Sequence, residues 1–409
     1  MPNGMAMAAP ARTPGIPAST YPKPTSDCVA KGHRKPMANA IGDNNSLKKS
    51  STAHSRICAS RIPQGYMENP PTSISKIQRY NVSAAKFHNH AEPDIDRAEK
   101  PIEPMNILVL DEFADSYAEL LTTTAGAFTY ATSLDGAGQK YDILLAQPDL
   151  AAAYLQRGGE VDWIQSTWAG IRPLAELLET SSIIVTGVKN VFGPQIAEYV
   201  FTYVLEELRS PDFLRSAQKQ KQWQPTRPGT ASGRHMVIVG TGSIGHHLAG
   251  VAASFGMRTT GVSRTGANAL NFDAVLPVDQ LPRAVADADY VVLALPDTTQ
   301  THKLIDENVF SAMEKQPLLF NVGRGSSLDE NALLSSLRTG KLRGAVLDVF
   351  NTEPLPNEHP LWDEPGIVIT PHIAAVSFPA DIAKVFLENL AHFEAGRSLN
   401  HVIDLTQGY

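Results

Sequence analysis

From Met105 onward the chain alternates short β-prone apolar runs with helix-compatible stretches, and that alternation leaves few folds open. The first runs are NILVL (106–110), DILLAQ (142–147), WIQST (163–167) and SIIVTG (182–187). Strands that alternate with helices build βαβ units and a mainly parallel sheet. A long amphipathic helix is predicted over 194–208 and a charged one over 213–223, after which the turn-rich QPTRPGTASG (224–233) reads as a linker. A second series opens with MVIVG (236–240) and continues through TTGVS (259–263), YVVLAL (290–295), PLLFNVG (317–323), GAVLDVF (344–350) and GIVITP (366–371). Helical stretches at 281–288 and 330–340 fall between these runs, which is the pattern of a doubly wound α/β domain. A last helix is predicted over 379–395, after this sheet is complete. Its apolar Ile382, Val385, Phe386, Leu390 and Phe393 predict that it packs back on the first unit. The expected units are therefore a discontinuous one, residues 105–207 with 383–409, and a doubly wound one, residues 208–382.

The first 104 residues differ. Between Met1 and Gln64 nine Lys and Arg face only Asp27 and Asp43, and no apolar run keeps a period of two or 3.6. Such a segment buries too little surface to offset its ordering entropy and is expected to be a disordered extension. Two origins stay open. Met105 stands directly before a good first strand, so the extension is either a gene-model artefact or a real segment. If real, its basic, acid-poor composition suits a transit peptide and organellar import; otherwise the protein is expected to be cytoplasmic.

With 409 residues the chain is long enough for two full cores. A net charge of −7 and 43% hydrophobic content give no reason to expect nucleic acid or a membrane as partner. The longest apolar run, YVVLALP (290–296), suits a buried strand and falls far short of a bilayer span. Cysteine occurs only at Cys28 and Cys58, so the rest of the chain holds no disulfide framework, thiol nucleophile or thiolate metal site. No metal site is expected.

Residues 235–250 read HMVIVGTGSIGHHLAG, a strand running into glycines and then a helix. In that context the glycines are a dinucleotide fingerprint. Gly240 permits the tight turn, Gly242 lets backbone approach a pyrophosphate, and Gly245 lets the helix, with Ser243 and Ile244 in its first turn, pack close to its strand. An NAD-binding unit usually places an acid at the end of the next strand to hold the ribose 2′-hydroxyl. Here Ser263, Arg264 and Thr265 stand there, and no acid follows until Asp273. A hydroxyl and a guanidinium suit a 2′-phosphate, so NADP(H) is preferred over a possible NAD(H), unless Arg264 is simply a solvated surface residue.

Three further stretches lie just beyond strands, where ligands bind in such sheets. They are NVGRGSSLDE with Arg324, LDVFNTEPLP with Glu353, and ITPHIAAVS with His372. Singly, each has an ordinary explanation: a structural histidine, an exposed loop acid, an arginine paired with Asp329. Jointly with the glycine fingerprint, the run into QIAEYV (195–200) and the loop LPDTTQT (295–301), they resemble the D-isomer-specific 2-hydroxyacid dehydrogenase family. The resemblance runs from Met105 to the C-terminus and is strongest to the glyoxylate/hydroxypyruvate reductase branch, on WIQSTWAG (163–170) and VSRT (262–265).

The resemblance implies a Rossmann-type doubly wound sheet beside a flavodoxin-like α/β substrate domain, with the site in the cleft between them. It implies an NAD(P)H-dependent reductase of small 2-oxoacids to D-2-hydroxyacids, and a homodimer. His372 matches the proton donor, Glu353 its carboxylate partner, and Arg324 the residue that polarises the carbonyl and grips the substrate carboxylate. Asp348 matches the acid near the nicotinamide carboxamide, and Trp168, Ala169 and Gly170 the loop whose amides hold the carboxylate. Leu295, Pro296, Thr301, Val322, Gly323, Ala374 and Ala375 match cofactor-contacting positions. Two departures bear on which substrate fits: Arg172 stands where many relatives carry an acid, and Ile-Ala-Ala follows His372 where others often have a glycine. A different class of function on the same fold, a non-catalytic cofactor-sensing protein like the corepressor relatives, keeps the same Arg, Glu and His. The lack of an acid at Ser263 speaks against it.

Overall fold

A computed structural model describes residues 105–122, 128–131, 140–178 and 181–405; the extension and both cysteines lie outside them. The first sheet holds β1 (Met105–Leu110), β2 (Phe128–Ala131), β3 (Lys140–Ala146), β4 (Glu160–Ser166) and β5 (Ile184–Thr186). Its order is β2-β1-β3-β4-β5 with every pairing parallel, the flavodoxin-like arrangement. Alternate residues of its strands serve two cores. Ile107, Val109, Ile143, Leu145 and Trp163 face one layer, and Leu108, Leu110, Leu144, Ala146 and Ile164 the other. Helix α1 (Ala114–Thr122) covers the first face, and α2 (Pro148–Gln156) with α3 (Arg172–Leu178) covers the second. Burial on both faces is why these strands read as unbroken apolar runs.

Helix α4 (Gly193–Arg209) and the shorter α5 (Pro211–Lys219) lead to the second sheet. The charged helix predicted over 213–223 thus ends at Lys219, and Lys221 turns away with a φ of 54°. The second sheet contains β6 (His235–Val239), β7 (Arg258–Ser263), β8 (Ala274–Pro277), β9 (Tyr290–Leu293), β10 (Leu318–Asn321), β11 (Gly344–Leu347) and β12 (Ile367–Ile369). Helices α6 (Ser243–Ser254), α7 (Leu281–Val285), α8 (Glu307–Ser311) and α9 (Glu330–Arg338) connect them. The order β12-β11-β10-β9-β6-β7-β8, all parallel, is the Rossmann order with one added strand. Strand order reverses between β6 and β9, so the glycine turn after β6 and the LPDTTQT loop after β9 flank the switch point.

The last helix, α10 (Pro379–Glu394), packs on the first sheet as its apolar spacing predicts. Phe386 stacks on Trp163 with ring centroids 5.4 Å apart, and Phe393 tilts against the same indole at 5.3 Å. Ile382, Phe386 and Leu390 are buried there. The expected strand series lacked β2 and β8. Both are four-residue strands at the outer edge of their sheets, with pairing on one side only.

Candidate active site

The glycine turn is built as its spacing demands. Gly240 has a φ of 110°, a conformation that side-chain-bearing residues rarely adopt, and a Cβ there would strike the Ala294 carbonyl. A Cβ on Gly245 would strike the Gly240 carbonyl, so α6 can lie this close to β6 only with glycine at that position. Gly242 is the N-cap of α6, and no side chain caps the helix. Its first-turn N–H groups, on Ser243, Ile244 and Gly245, thus have no intrahelical acceptor and are available to an anion, with the positive end of the helix dipole behind them. No atom stands within 4 Å of where a Gly242 Cβ would be, leaving room for a ligand.

At the end of β7 the Ser263 hydroxyl accepts a hydrogen bond from the Gly266 N–H at 3.0 Å, and Arg264 and Thr265 are exposed. Asp273 does not reach this end. Its carboxylate accepts from the Thr259 N–H at 2.8 Å, near the start of the strand. Thr301 folds its loop back by donating to the Pro296 carbonyl at 2.7 Å. Leu295 and Pro296 are half-buried, and Val322 and Gly323 are buried at the end of β10.

Arg324, Glu353 and His372 follow β10, β11 and β12, three neighbouring strands, and the structure brings them together. His372 sits at a φ of 55°, and its Nδ1 lies 2.7 Å from Glu353 Oε2. Its Nε2 has no partner among the described residues, and half of the side chain is exposed. The hydrogen bond to Glu353 raises the His372 pKa above its ordinary value, against the opposing effect of burial. For Glu353, burial pushes upward but is outweighed by the hydrogen bonds from His372 and the Phe350 N–H, so its carboxyl is held below the usual range. Burial lowers the Arg324 pKa against the charges of Asp297 and Glu353, and the guanidinium remains charged. Arg324 Nη1 donates to the Gly323 carbonyl at 2.7 Å, and a Cβ on Gly170 would stand 2.5 Å from Nη2. The arginine thus reaches the loop after β4. Asp329 is not its partner: that carboxylate caps α9 and pairs with Lys303 at 3.1 Å.

In the loop after β4, the Ser166 hydroxyl donates to the Trp168 carbonyl at 2.8 Å and accepts from its N–H at 3.1 Å. The N–H groups of Ala169 and Gly170 have no acceptor among the described residues, so of the three amides these two are open to a carboxylate. Trp168 is 44% exposed beside them. Arg172 turns to Asp297, 3.7 Å away in the loop after β9.

Asn321 and Ser327, which motif reading passed over, and Asp348 hold this geometry. Asn321, fully buried, and Ser327 both donate to the Arg324 carbonyl, at 3.0 and 2.7 Å. Asp348, expected near the nicotinamide, accepts from the N–H groups of Ile373 and Ala374 at 2.8 and 2.9 Å and from the Thr370 hydroxyl at 2.6 Å. Its own carbonyl accepts from the His372 N–H at 2.9 Å. This carboxylate folds the histidine loop and buries Ala374, with Ala375 half-buried beside it. Buried Asp and Asn beside special backbone were the available signal.

Residues 201–374 match the family model described as D-isomer specific 2-hydroxyacid dehydrogenase, NAD binding domain. Over 215 residues, 53% of this chain and 69% of the other, the sequence is 34% identical to glyoxylate/hydroxypyruvate reductase A of Yersinia enterocolitica. A crystal structure of a D-isomer specific 2-hydroxyacid dehydrogenase family protein from Aeromonas salmonicida superposes with a TM-score of 0.70 at 38% identity, covering 74% of this chain and 100% of that one. The corresponding dehydrogenase of Xanthobacter autotrophicus, solved with NADPH and MES, gives 0.65 at 26% identity, covering 75% and 100%. Fold and glycine turn define a dinucleotide-binding α/β protein. The chain belongs to the D-isomer specific 2-hydroxyacid dehydrogenase family, within its glyoxylate/hydroxypyruvate reductase branch. Among the described residues no helix is long and apolar enough to cross a membrane.

Proposed function

We propose that the protein is an NADPH-preferring reductase of small 2-oxoacids such as glyoxylate or hydroxypyruvate, yielding D-2-hydroxyacids. The observation that carries this reading is the His372–Glu353 pair at 2.7 Å beside the Arg324 guanidinium. Together they offer a protonated imidazole and a fixed cation to one carbonyl group. The open amides of Ala169 and Gly170 take the substrate carboxylate, and Arg324 shares it while polarising the carbonyl oxygen. His372 delivers a proton to that oxygen from Nε2, and Glu353 holds the ring and favours its charged form. The turn of Gly240–Gly245 would hold the pyrophosphate of a nicotinamide cofactor, whose chemistry would be hydride donation. The exposed Trp168 narrows the mouth toward small substrates.

NADPH preference rests on Arg264 and Ser263 at the end of β7, on the engagement of Asp273 elsewhere, and on the NADPH bound to the Xanthobacter relative. Replacing Arg264 by Ala removes a charge-assisted contact, so the KM for NADPH is expected to rise about tenfold while that for NADH moves little. Equal losses for both cofactors would assign Arg264 another role. A homodimer is supported by the outward Phe213 and Leu214 of α5 and by Trp223, which is 98% exposed. Steady-state reduction of glyoxylate and hydroxypyruvate with NADPH tests the whole reading. Cofactor binding without turnover of any 2-oxoacid would favour a sensing role instead.

A further inference from the structure

Thr167 is fully buried and stands immediately before the Trp168–Gly170 loop. It is fixed at three points. Its N–H donates to the Ala146 carbonyl at 3.0 Å, and its hydroxyl donates to Asp111 Oδ2 at 2.7 Å. Its carbonyl accepts from the Ser377 hydroxyl at 2.6 Å. Ser377 follows the catalytic histidine on the same short segment, and that segment is held in two halves. His372, Ile373 and Ala374 donate their N–H groups to Asp348 of the second sheet. Val376 exchanges two hydrogen bonds of 2.9 Å with the Gln195 side chain of α4. The Ser377–Thr167 contact is the one of these that reaches the loop with the open amides.

We infer that Ser377 is a positioning residue whose hydroxyl sets the register between the amides of Ala169–Gly170 and the imidazole of His372. The inference rests on the roles proposed above for those groups. In a 2-oxoacid the carboxylate carbon is bonded directly to the carbonyl carbon, so the substrate has no slack between the two ends being gripped. A shift of about an ångström between amides and imidazole therefore takes the carbonyl oxygen out of line with the proton, a displacement that costs on the order of 10²-fold in rate. Ser377 makes no hydrogen bond to the glycine turn, and Ala374 is held separately by Asp348, so the effect on NADPH binding is expected to be smaller than that on the reaction step.

The test compares Ser377→Ala, Ser377→Val and Ser377→Thr in the full chain, with glyoxylate and with NADPH carrying deuterium at the transferred position. Thr and Val have nearly the same shape and differ in the hydroxyl. The Ala and Val variants are expected to lose about tenfold or more in kcat, with a larger primary isotope effect because the hydride step becomes limiting. The KM for NADPH should stay within about twofold, and Ser377→Thr should restore most of the rate. Equal activity of the Val and Thr variants, or an unchanged kcat and isotope effect in the Ala variant, would overturn the inference. Absence of turnover in the wild-type protein would overturn the functional reading and this inference together, whereas turnover indifferent to the hydroxyl would overturn this inference alone.

Discussion

Two histidines in the second sheet each lie beside a carboxylate, at opposite ends of the strands, and their pKa values move in opposite directions. His372, beyond the C-terminal end of β12, contacts Glu353 at 2.7 Å and is raised. His235, at the N-terminal end of β6, contacts Asp287 at 2.9 Å and is lowered. Burial dominates for His235, whose side chain is 3% exposed. The charge of Arg258, itself paired with Asp287, adds to that effect, and burial and this charge together outweigh the carboxylate. His372 is half exposed, and its hydrogen bond to Glu353, with the charges of Glu353 and Asp348, outweighs burial and Arg324. A histidine–carboxylate pair is therefore not by itself an acid catalyst. Solvent access and the third charge decide which protonation state the fold keeps. The N-terminal end also closes its charges on itself, since Arg234 pairs with Asp289 and Arg343 with Glu207. The C-terminal end leaves a ring nitrogen and a guanidinium open.

The sharpest way to break this comparison is to remove each histidine. His372→Ala is expected to lower kcat by about 10²–10⁴ at every pH, while His235→Gln, far from the site, should stay close to wild type in steady-state assays. A large loss of kcat in the second variant would mean that the buried pair also serves the reaction.

A smaller but more specific effect is expected from Glu353→Gln. Reduction needs His372 in its protonated form, so activity falls as pH rises through the histidine pKa. Without the carboxylate that pKa drops, and the basic limb of the kcat/KM profile should move to lower pH. A limb that does not move would assign the proton to another partner.

The smallest effect lies in stability against pH, and here the two histidines pull in opposite directions. The folded pKa of His235 lies below its unfolded value of about 6.5, so as pH falls the unfolded chain takes up the proton first. Its stabilisation is complete above that value and is lost on acidification. His372 is raised, so its stabilisation is complete below the unfolded value and is lost as pH rises through the folded pKa. Denaturation midpoints across pH should therefore lose part of their acid-side slope in His235→Gln and part of their alkaline-side slope in Glu353→Gln. Parallel slopes in both variants would refute the opposed shifts.

These contrasts also mark what could be read from the sequence. Arg324, Glu353, His372 and the glycine turn were legible because each lies within a few residues of a strand end, and local geometry fixes its place. The buried strands were legible for the same reason, as continuous apolar runs. β2 and β8 were not, since an edge strand of four residues is defined by the neighbour it pairs with more than by its own composition. The loop-folding part played by Asp348 went unread for a related reason. Its position after β11 marks it as near the site, but only the fold of residues 370–374 shows that its oxygens are already occupied by that loop. Gln195 and Ser377 lie in motifs that were read, but their contacts were not legible, because their partners lie 181 and 210 residues away in sequence.

The stacking of Phe386 and Phe393 on Trp163 has a consequence for how the protein is made. The strands around Trp163 leave the ribosome early, but the aromatic face that covers them is encoded beyond the whole second sheet. At about 5–20 residues per second, roughly 10–45 s of translation separates the indole from its lid. Through that interval the nascent chain presents an uncovered apolar surface, and the later-translated second sheet can close before the earlier one is complete. A chain terminated before Pro379 would keep this face open.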